Sequence, residues 1–127
     1  MADRHETSPK KRSRGRELME EICGVDIEPD DPWLEVSQEH VFGRIWDRPG
    51  LTRKERRWIA LSIAAASGQR DGYRAHLRMA LESGDMTAEE LWEWLVQFAH
   101  YAGWPLSAEV WEDLRALTHD REDGDAG

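Results

Sequence analysis

The sequence predicts an all-α fold, a bundle of six helices joined by short loops. Three observations carry that expectation. No run of β-branched and aromatic residues alternates with period 2, so strand signals are absent. Apolar residues recur instead at the 3.6-residue period of a helix. Start and stop residues punctuate the chain at helical lengths.

The first helix is a short stripe of Leu18, Met19 and Ile22 that stops at Gly24. Asp31-Pro32 opens the second: an acceptor side chain at the N-cap, then a residue with no N–H to orphan. Leu34, Val41 and Ile45 line one side of it, and it runs to about Trp46, before the break at Arg48-Pro49-Gly50. Thr52 and Glu55 form a capping box that starts the third helix. Trp58, Ile59, Leu61, Ile63 and the alanines after it make that helix apolar nearly all round, so it is expected to be central and packed on several sides, with a stop at Gly68. The fourth starts near Asp71, carries Tyr73, Leu77, Ala80 and Leu81 on one face, and ends at Gly84. A second capping box, Thr87 with Glu90, opens the fifth, whose stripe is Leu91, Trp94, Leu95, Phe98 and Ala102, closed by Gly103. Pro105 starts the sixth, with Val110, Trp111, Leu114 and Leu117 inward.

At 127 residues the chain is expected to hold one domain, over 17–118. Residues 1–16 carry six basic and two acidic side chains and almost nothing apolar, and read as a disordered basic arm; 119–127 read as a polar tail that frays. A formal net charge of −9 argues against a nucleic-acid partner. No apolar stretch approaches the roughly 18 residues needed to span a bilayer, and no apolar stretch follows the basic N-terminus, so neither a membrane partner nor a secretory signal is expected. A single cysteine, Cys23, excludes an internal disulfide framework and any CxxC motif, so the expected compartment is the cytoplasm. The five histidines are scattered without HxxxH spacing, so no metal site is expected.

Seven tryptophans exceed what a core this small can hold. Trp92 and Trp94 lie about 200° apart on their helix, so one of them must leave the core face. Surplus indoles line pockets or oligomer interfaces, and a homo-oligomer is expected.

Two segments bear a family resemblance. One runs from Phe42 through Arg48-Pro49-Gly50 to Arg57. The other runs from His76 to Gly84 and on through Thr87, Glu90, Glu93 and Gln97 to Tyr101-Ala102-Gly103-Trp104-Pro105. Together they resemble the carboxymuconolactone decarboxylase family, which shares its fold with alkylhydroperoxidase D. The family pattern has a histidine, a glycine eight residues later, then T..E..E...Q and YxGxP, and this chain meets it at each position. The resemblance implies a six-helix all-α fold assembled as a trimer or hexamer. The redox branch of that fold carries CxxCxxxH with an upstream relay glutamate. Counted back from His76, those places hold Gln69, Gly72 and Arg57, so dithiol peroxide reduction within one chain is excluded.

The non-redox branch implies a cofactor-independent lyase acting on a small carboxylated lactone or β-keto acid, an anionic or aromatic substrate, in aromatic catabolism or secondary metabolism. Loss of CO₂ needs an electron sink, which a conjugated lactone supplies itself. The protein must desolvate the departing carboxylate, stabilise charge on oxygen and deliver a proton to carbon. His76 is the expected acid–base group, because an imidazole titrates near neutrality; the competing reading is a satisfied core histidine. Arg57 suits carboxylate anchoring through its planar fork, or else pairs with a neighbouring acid. Tyr101 is the third catalytic candidate, as a donor to a lactone oxygen. Arg48, Trp46, Trp58, Glu93, Trp104 and His40 are candidates for the substrate-binding wall. Each also has a structural reading: a helix cap for Arg48, surface for His40, an interface for Glu93. The Tyr101–Pro105 segment is expected to bring phenol, indole and a helix N-terminus together as an anion-binding wall. Bulky Trp58 and Trp104 suggest a flatter or more aromatic substrate. An isomerase or cyclase on the same scaffold, a non-catalytic oligomeric binding protein, and a redox role for Cys23 across subunits are the alternatives.

Overall fold

The computed structural model describes residues 11–126, with side chains through 120. The first ten residues of the expected basic arm lie outside the described residues. Among the described residues there are six helices and no strand, so the all-α fold is what the chain has. They are α1 (Arg14–Cys23), α2 (Pro32–Val36, continuing as a π-helix over Ser37–Ile45), α3 (Arg53–Ala66), α4 (Arg70–Ser83), α5 (Ala88–Ala102) and α6 (Trp104–Ala126). The chain divides into two compact units, 1–21 with 25–48, and 22–24 with 49–127. The boundary at Arg48 and Pro49 falls inside the segment expected to form one domain.

In the first unit, Asp31 caps α2 by accepting from the Leu34 amide at 2.8 Å, with Pro32 in the first turn. The buried positions of α2 are Leu34, Gln38 and Phe42, spaced by four, whereas Val41 and Ile45, expected to face inward, stay about 40% exposed. The cause is the change of helix type. Bonds from i to i+5, such as Trp46 N–H to the Val41 carbonyl at 3.0 Å, widen the turn and lengthen the repeat of its buried face. Gln38 is buried because its amide donates to the Ile27 carbonyl at 2.8 Å and contacts the Met19 sulfur at 3.7 Å. The basic residues nearest α1 are ordered by ion pairs that composition does not reveal. Arg12 meets Glu20 and Asp26, Arg14 meets Asp47, and Arg16 meets Asp26 at 2.7 Å and Glu28 at 2.9 Å. Arg14 to Arg16 therefore belong to a helix and not to a structureless arm.

In the second unit, α3 packs on α4 and α5 on α6 as two hairpins, and α6 also touches α3 and α4. Both capping boxes are formed: Thr52 and Thr87 each accept from the amide of the glutamate three residues on, and each glutamate reaches back. Gly84, at φ 81°, closes α4 in the left-handed conformation. The core joins Leu61 and Ala65 of α3, Tyr73, Leu77, Ala80 and Leu81 of α4, Met86, Leu91, Trp94, Leu95 and Phe98 at and within α5, and Val110 and Leu114 of α6. Trp94 is buried, its indole N–H donating to the Ser62 hydroxyl at 2.9 Å, while Trp92 is half-buried and still packs against the same core, so it does not leave the core face outright as expected.

Three expectations change here. Ile59 and Ile63 are more than half exposed, so the apolar surface of α3, expected to be packed on several sides, is left uncovered at these two positions within this chain. Trp111 faces outward under the Arg115 guanidinium, 5.1 Å from its ring centroid. The backbone of α6 stays helical to Ala126, through the segment expected to fray.

Gly15 supplies a test of the first unit. A Cβ there would lie 1.8 Å from the Gln38 carbonyl oxygen. Gly→Ala inside a helix ordinarily stabilises by up to about 1 kcal/mol. Here Gly15→Ala is expected to destabilise by about 1–3 kcal/mol, because backbone must move to admit the methyl. Urea unfolding of the two proteins reads the sign.

Candidate active site

The second unit buries a cation. Arg57 stands one turn into α3, and its side chain has no solvent exposure. A guanidinium cannot shed its charge in a protein and carries five N–H donors, so burying it demands acceptors. Asp85 supplies the charge. Its Oδ2 accepts from Arg57 Nε at 3.1 Å and from Nη2 at 3.0 Å. The Ile22 carbonyl near the end of α1 accepts from Nη1 at 2.7 Å. The fourth contact is Nη1 to Nδ1 of His76 on α4, at 3.0 Å. Burial pushes the guanidinium below its ordinary pKa, and Asp85 opposes that shift.

Local structure explains the convergence. The tight turn between α3 and α4, with Gln69 N–H bonded to the Ala64 carbonyl at 2.9 Å, folds α4 back along α3 and sets His76 opposite Arg57. Gly84 then stops α4, and Asp85 follows at once, on the side where α3 begins.

The contact fixes the state of His76. A guanidinium nitrogen has no lone pair to offer, so Nδ1 must be the acceptor and the ring proton sits on Nε2. Burial first, and the Arg57 charge second, lower the His76 pKa to about 4. At pH 7 the ring is neutral, with about one molecule in a thousand protonated. His76 therefore presents a neutral N–H and not the imidazolium of a strong general acid. Cys23 lies within the field of Arg57, and burial raises its thiol pKa, so it is held as a thiol.

Of the residues expected at the site, the structure brings Arg57 and His76 together; Trp58, next to Arg57 in sequence, is half-buried against the apolar core. The fork of Arg57 is occupied by Asp85, Ile22 and His76, so its expected role as carboxylate anchor gives way to a role inside the protein. Tyr101 is 86% exposed at the far end of α5, roughly 20 Å along the helix axis from the Asp85 turn, and does not join His76 in this chain. Trp104 is also exposed. It meets His100 edge-on at 5.9 Å and lines an apolar groove of about 320 Å³ with Trp92, Leu95, Val96 and Trp111. The Tyr101–Pro105 segment thus forms part of an aromatic surface and no enclosed anion wall. Glu93 is exposed in a shallow depression with Glu89 and Glu90. His40, Trp46 and Arg48 belong to the first unit: His40 and Arg48 are exposed, and Trp46 stacks on Phe42 at 6.3 Å.

Sequence reasoning missed Asp85 and the Ile22 carbonyl. An acid directly after a helix-stop glycine is the only local hint of the first, and a main-chain acceptor leaves none. It also missed Asp113 of α6. Burial alone would raise this carboxyl. Hydrogen bonds from Arg70 (3.1 Å) and the Tyr73 hydroxyl (2.7 Å) outweigh that and hold it below the ordinary range.

Residues 32–115 match the family model of the carboxymuconolactone decarboxylase family. The chain belongs to that family. The match spans both the His76–Gly84 spacing and the Arg57 helix. Within the family it is similar to 4-carboxymuconolactone decarboxylase of Acinetobacter baylyi (strain ATCC 33305 / BD413 / ADP1), at 36% identity over 80 residues, covering 58% of this chain and 59% of that protein. It is also similar to nitrosuccinic acid decarboxylase npaB of Metarhizium robertsii (strain ARSEF 23 / ATCC MYA-3075), at 32% identity over 79 residues, covering 62% and 54%. The matched region spans a little over half the length of each relative. No solved structure matches the chain. Among the described residues no helix is long and apolar enough to cross a membrane.

The low pKa of His76 has a consequence for stability in this family member. Between its ordinary value of 6.5 and about 4, the unfolded chain binds a proton that the folded chain does not. Stability from this source is complete above about pH 6.5 and is lost as the pH falls toward 4, by roughly 3 kcal/mol. His76→Phe is expected to remove that part of the pH dependence. Urea unfolding of both proteins across this range, taken as a difference, measures it.

Proposed function

We propose that this chain is a decarboxylase of small carboxylated substrates, a lactone or β-keto acid, with His76 as the group that meets the substrate. The observation that carries the reading is the neutral, oriented imidazole of His76, held by a buried cation in a member of a family with two decarboxylases among its relatives. In such a reaction the bond from carbon to the carboxylate breaks, CO₂ leaves, and the electron pair moves into the conjugated carbonyl. The carbonyl oxygen gains negative charge, and the carbon is then protonated from water. The Nε2–H of His76 serves as the hydrogen-bond donor to that oxygen, worth more in a dry site than in water. A neutral donor suits this task because it stabilises developing charge without binding the anionic ground state as tightly as a cation would. Arg57 adds positive potential from behind the ring, and Arg53, one turn earlier on α3, lies close enough for its charge to reach Arg57. Since the substrate itself is the electron sink, this reading uses no cofactor.

The groove lined by Trp92, Trp104 and Trp111 holds no ionisable side chain, and favours a second reading in which the chain binds an aromatic ligand without chemistry. CO₂ release from a panel of carboxylated lactones and β-keto acids separates the two. His76→Phe keeps the ring volume and removes both nitrogens. It is expected to stay folded and to lose about 10²–10³ in turnover, the scale of one oxyanion donor. Undiminished CO₂ release from folded His76→Phe protein would take His76 out of the reaction. Binding with no release from any panel member would favour the binder.

The same reading includes assembly as a homo-oligomer, a trimer or hexamer. It is supported by Val96, Tyr101, Trp104 and Trp111 of α5 and α6, large apolar side chains left exposed within this chain. Light scattering is expected to give a multiple of 14.7 kDa; a mass of 14.7 kDa at micromolar concentration would refute it.

A further inference from the structure

Asp85 follows the left-handed Gly84 in the turn between α4 and α5, and its side chain is only 16% exposed. A single oxygen, Oδ2, takes both N–H groups on one edge of the Arg57 guanidinium. A guanidinium is planar and rigid, so pinning one edge fixes the direction of the other nitrogen. That nitrogen, Nη1, reaches the Ile22 carbonyl and the Nδ1 of His76. Neither of these two acceptors carries a charge. Without Asp85 the buried cation would lose the counter-ion it has among the described residues, and the two contacts that pin one edge of its fork would go with it. Among the described residues, the other charged or titratable groups whose fields reach Arg57 are Arg53 on α3 and the Cys23 thiol at the end of α1, and neither is an anion.

We propose that Asp85 is a positioning residue: by gripping one edge of Arg57 it aims Nη1 at His76 and locks the imidazole as its Nε2–H tautomer. Asp85 touches no substrate in this scheme. It acts through Arg57, and it decides which ring nitrogen carries the proton. The use of that N–H in a reaction rests on the decarboxylase reading above; the tautomer lock does not.

The test reads the ring directly, with no ligand present. The full chain is prepared with ¹⁵N-labelled histidine, and long-range ¹H–¹⁵N correlations report the protonation of each His76 nitrogen as the pH is varied. In the unmodified protein at pH 7 we expect an unprotonated Nδ1, a protonated Nε2 and a titration midpoint near 4. Asp85→Asn keeps the size of the side chain and removes its charge. It is expected to release the fork, so that His76 samples both tautomers, while its midpoint stays at or below about 4, because burial and the Arg57 charge both remain. Asp85→Glu restores a carboxylate and is expected to restore the single tautomer, which a general loosening of the turn would not do. Unfolding transitions recorded on each variant establish that it is folded; should Asp85→Asn lack one, Asp85→Ser carries the same comparison. A folded Asp85→Asn or Asp85→Ser protein that keeps the single Nε2–H tautomer would overturn the proposal. An Nδ1–H tautomer in the unmodified protein would overturn it without any variant. Failure to release CO₂ from any substrate would remove the decarboxylase reading and leave this result standing.

Discussion

One buried positive charge organises the second unit. Arg57 has no contact with solvent, so its donors must find acceptors inside, and each acceptor comes from a different part of the chain: the turn after α4, the end of α1 and the middle of α4. Removing a partner from a buried ion costs far more than an exposed pair is worth, because the remaining charge keeps its desolvation penalty. The cluster is therefore a point at which four segments agree on one geometry. Lys54, a turn earlier on α3, pairs with Glu90 in the first turn of α5 and ties the same end of the bundle from outside.

A second polar group fixes the other side of α4. Asp113 on α6, nearly buried, takes the Tyr73 hydroxyl and the fork of Arg70. Tyr73 and His76 are three residues apart, so neighbouring positions of one helix are tied in two directions: toward α6 through a carboxylate, and toward α3 through an arginine. Between them Leu77, Ala80 and Leu81 fill the apolar core. Hydrophobic burial holds the helix in place, and the two polar ties remove its freedom to rotate or slide. A ring nitrogen that must point one way gains from both.

Features encoded by neighbouring residues were legible in the sequence, and features made by distant ones were not. The all-α class, both capping boxes, the Asp31-Pro32 start and the stops at Gly84 and Gly103 are decided within a few residues, and the structure has them. The stripe on α4 is likewise local, and Tyr73, Leu77, Ala80 and Leu81 are all buried. The π-helical stretch escaped because its buried face includes Gln38, a polar residue whose burial depends on the Ile27 carbonyl eleven positions away. The ordered Arg12, Arg14 and Arg16 escaped for a similar reason, since charge composition is silent about which acid each arginine will meet. At the candidate site, His76 and Arg57 stood out as residue types in a family pattern. Their relationship did not: an arginine read as a hand for the substrate is instead the support of the histidine, because Asp85 and Ile22 reach it first.

The turn at Gly84 and Asp85 limits how this chain can vary in length. Connections between helices are ordinarily where proteins accept insertions and deletions at little cost. Here the carboxylate that neutralises the buried arginine sits one residue past the left-handed glycine, and Met86, buried in the core, comes directly after it. Adding or removing a residue would carry the charge away from Arg57 or pull Met86 out of place. A surface loop that looks free to drift is thereby closed to length change, and variation must be absorbed elsewhere, as at the exposed stretch around Gly50, where a Cβ would meet nothing within 4 Å.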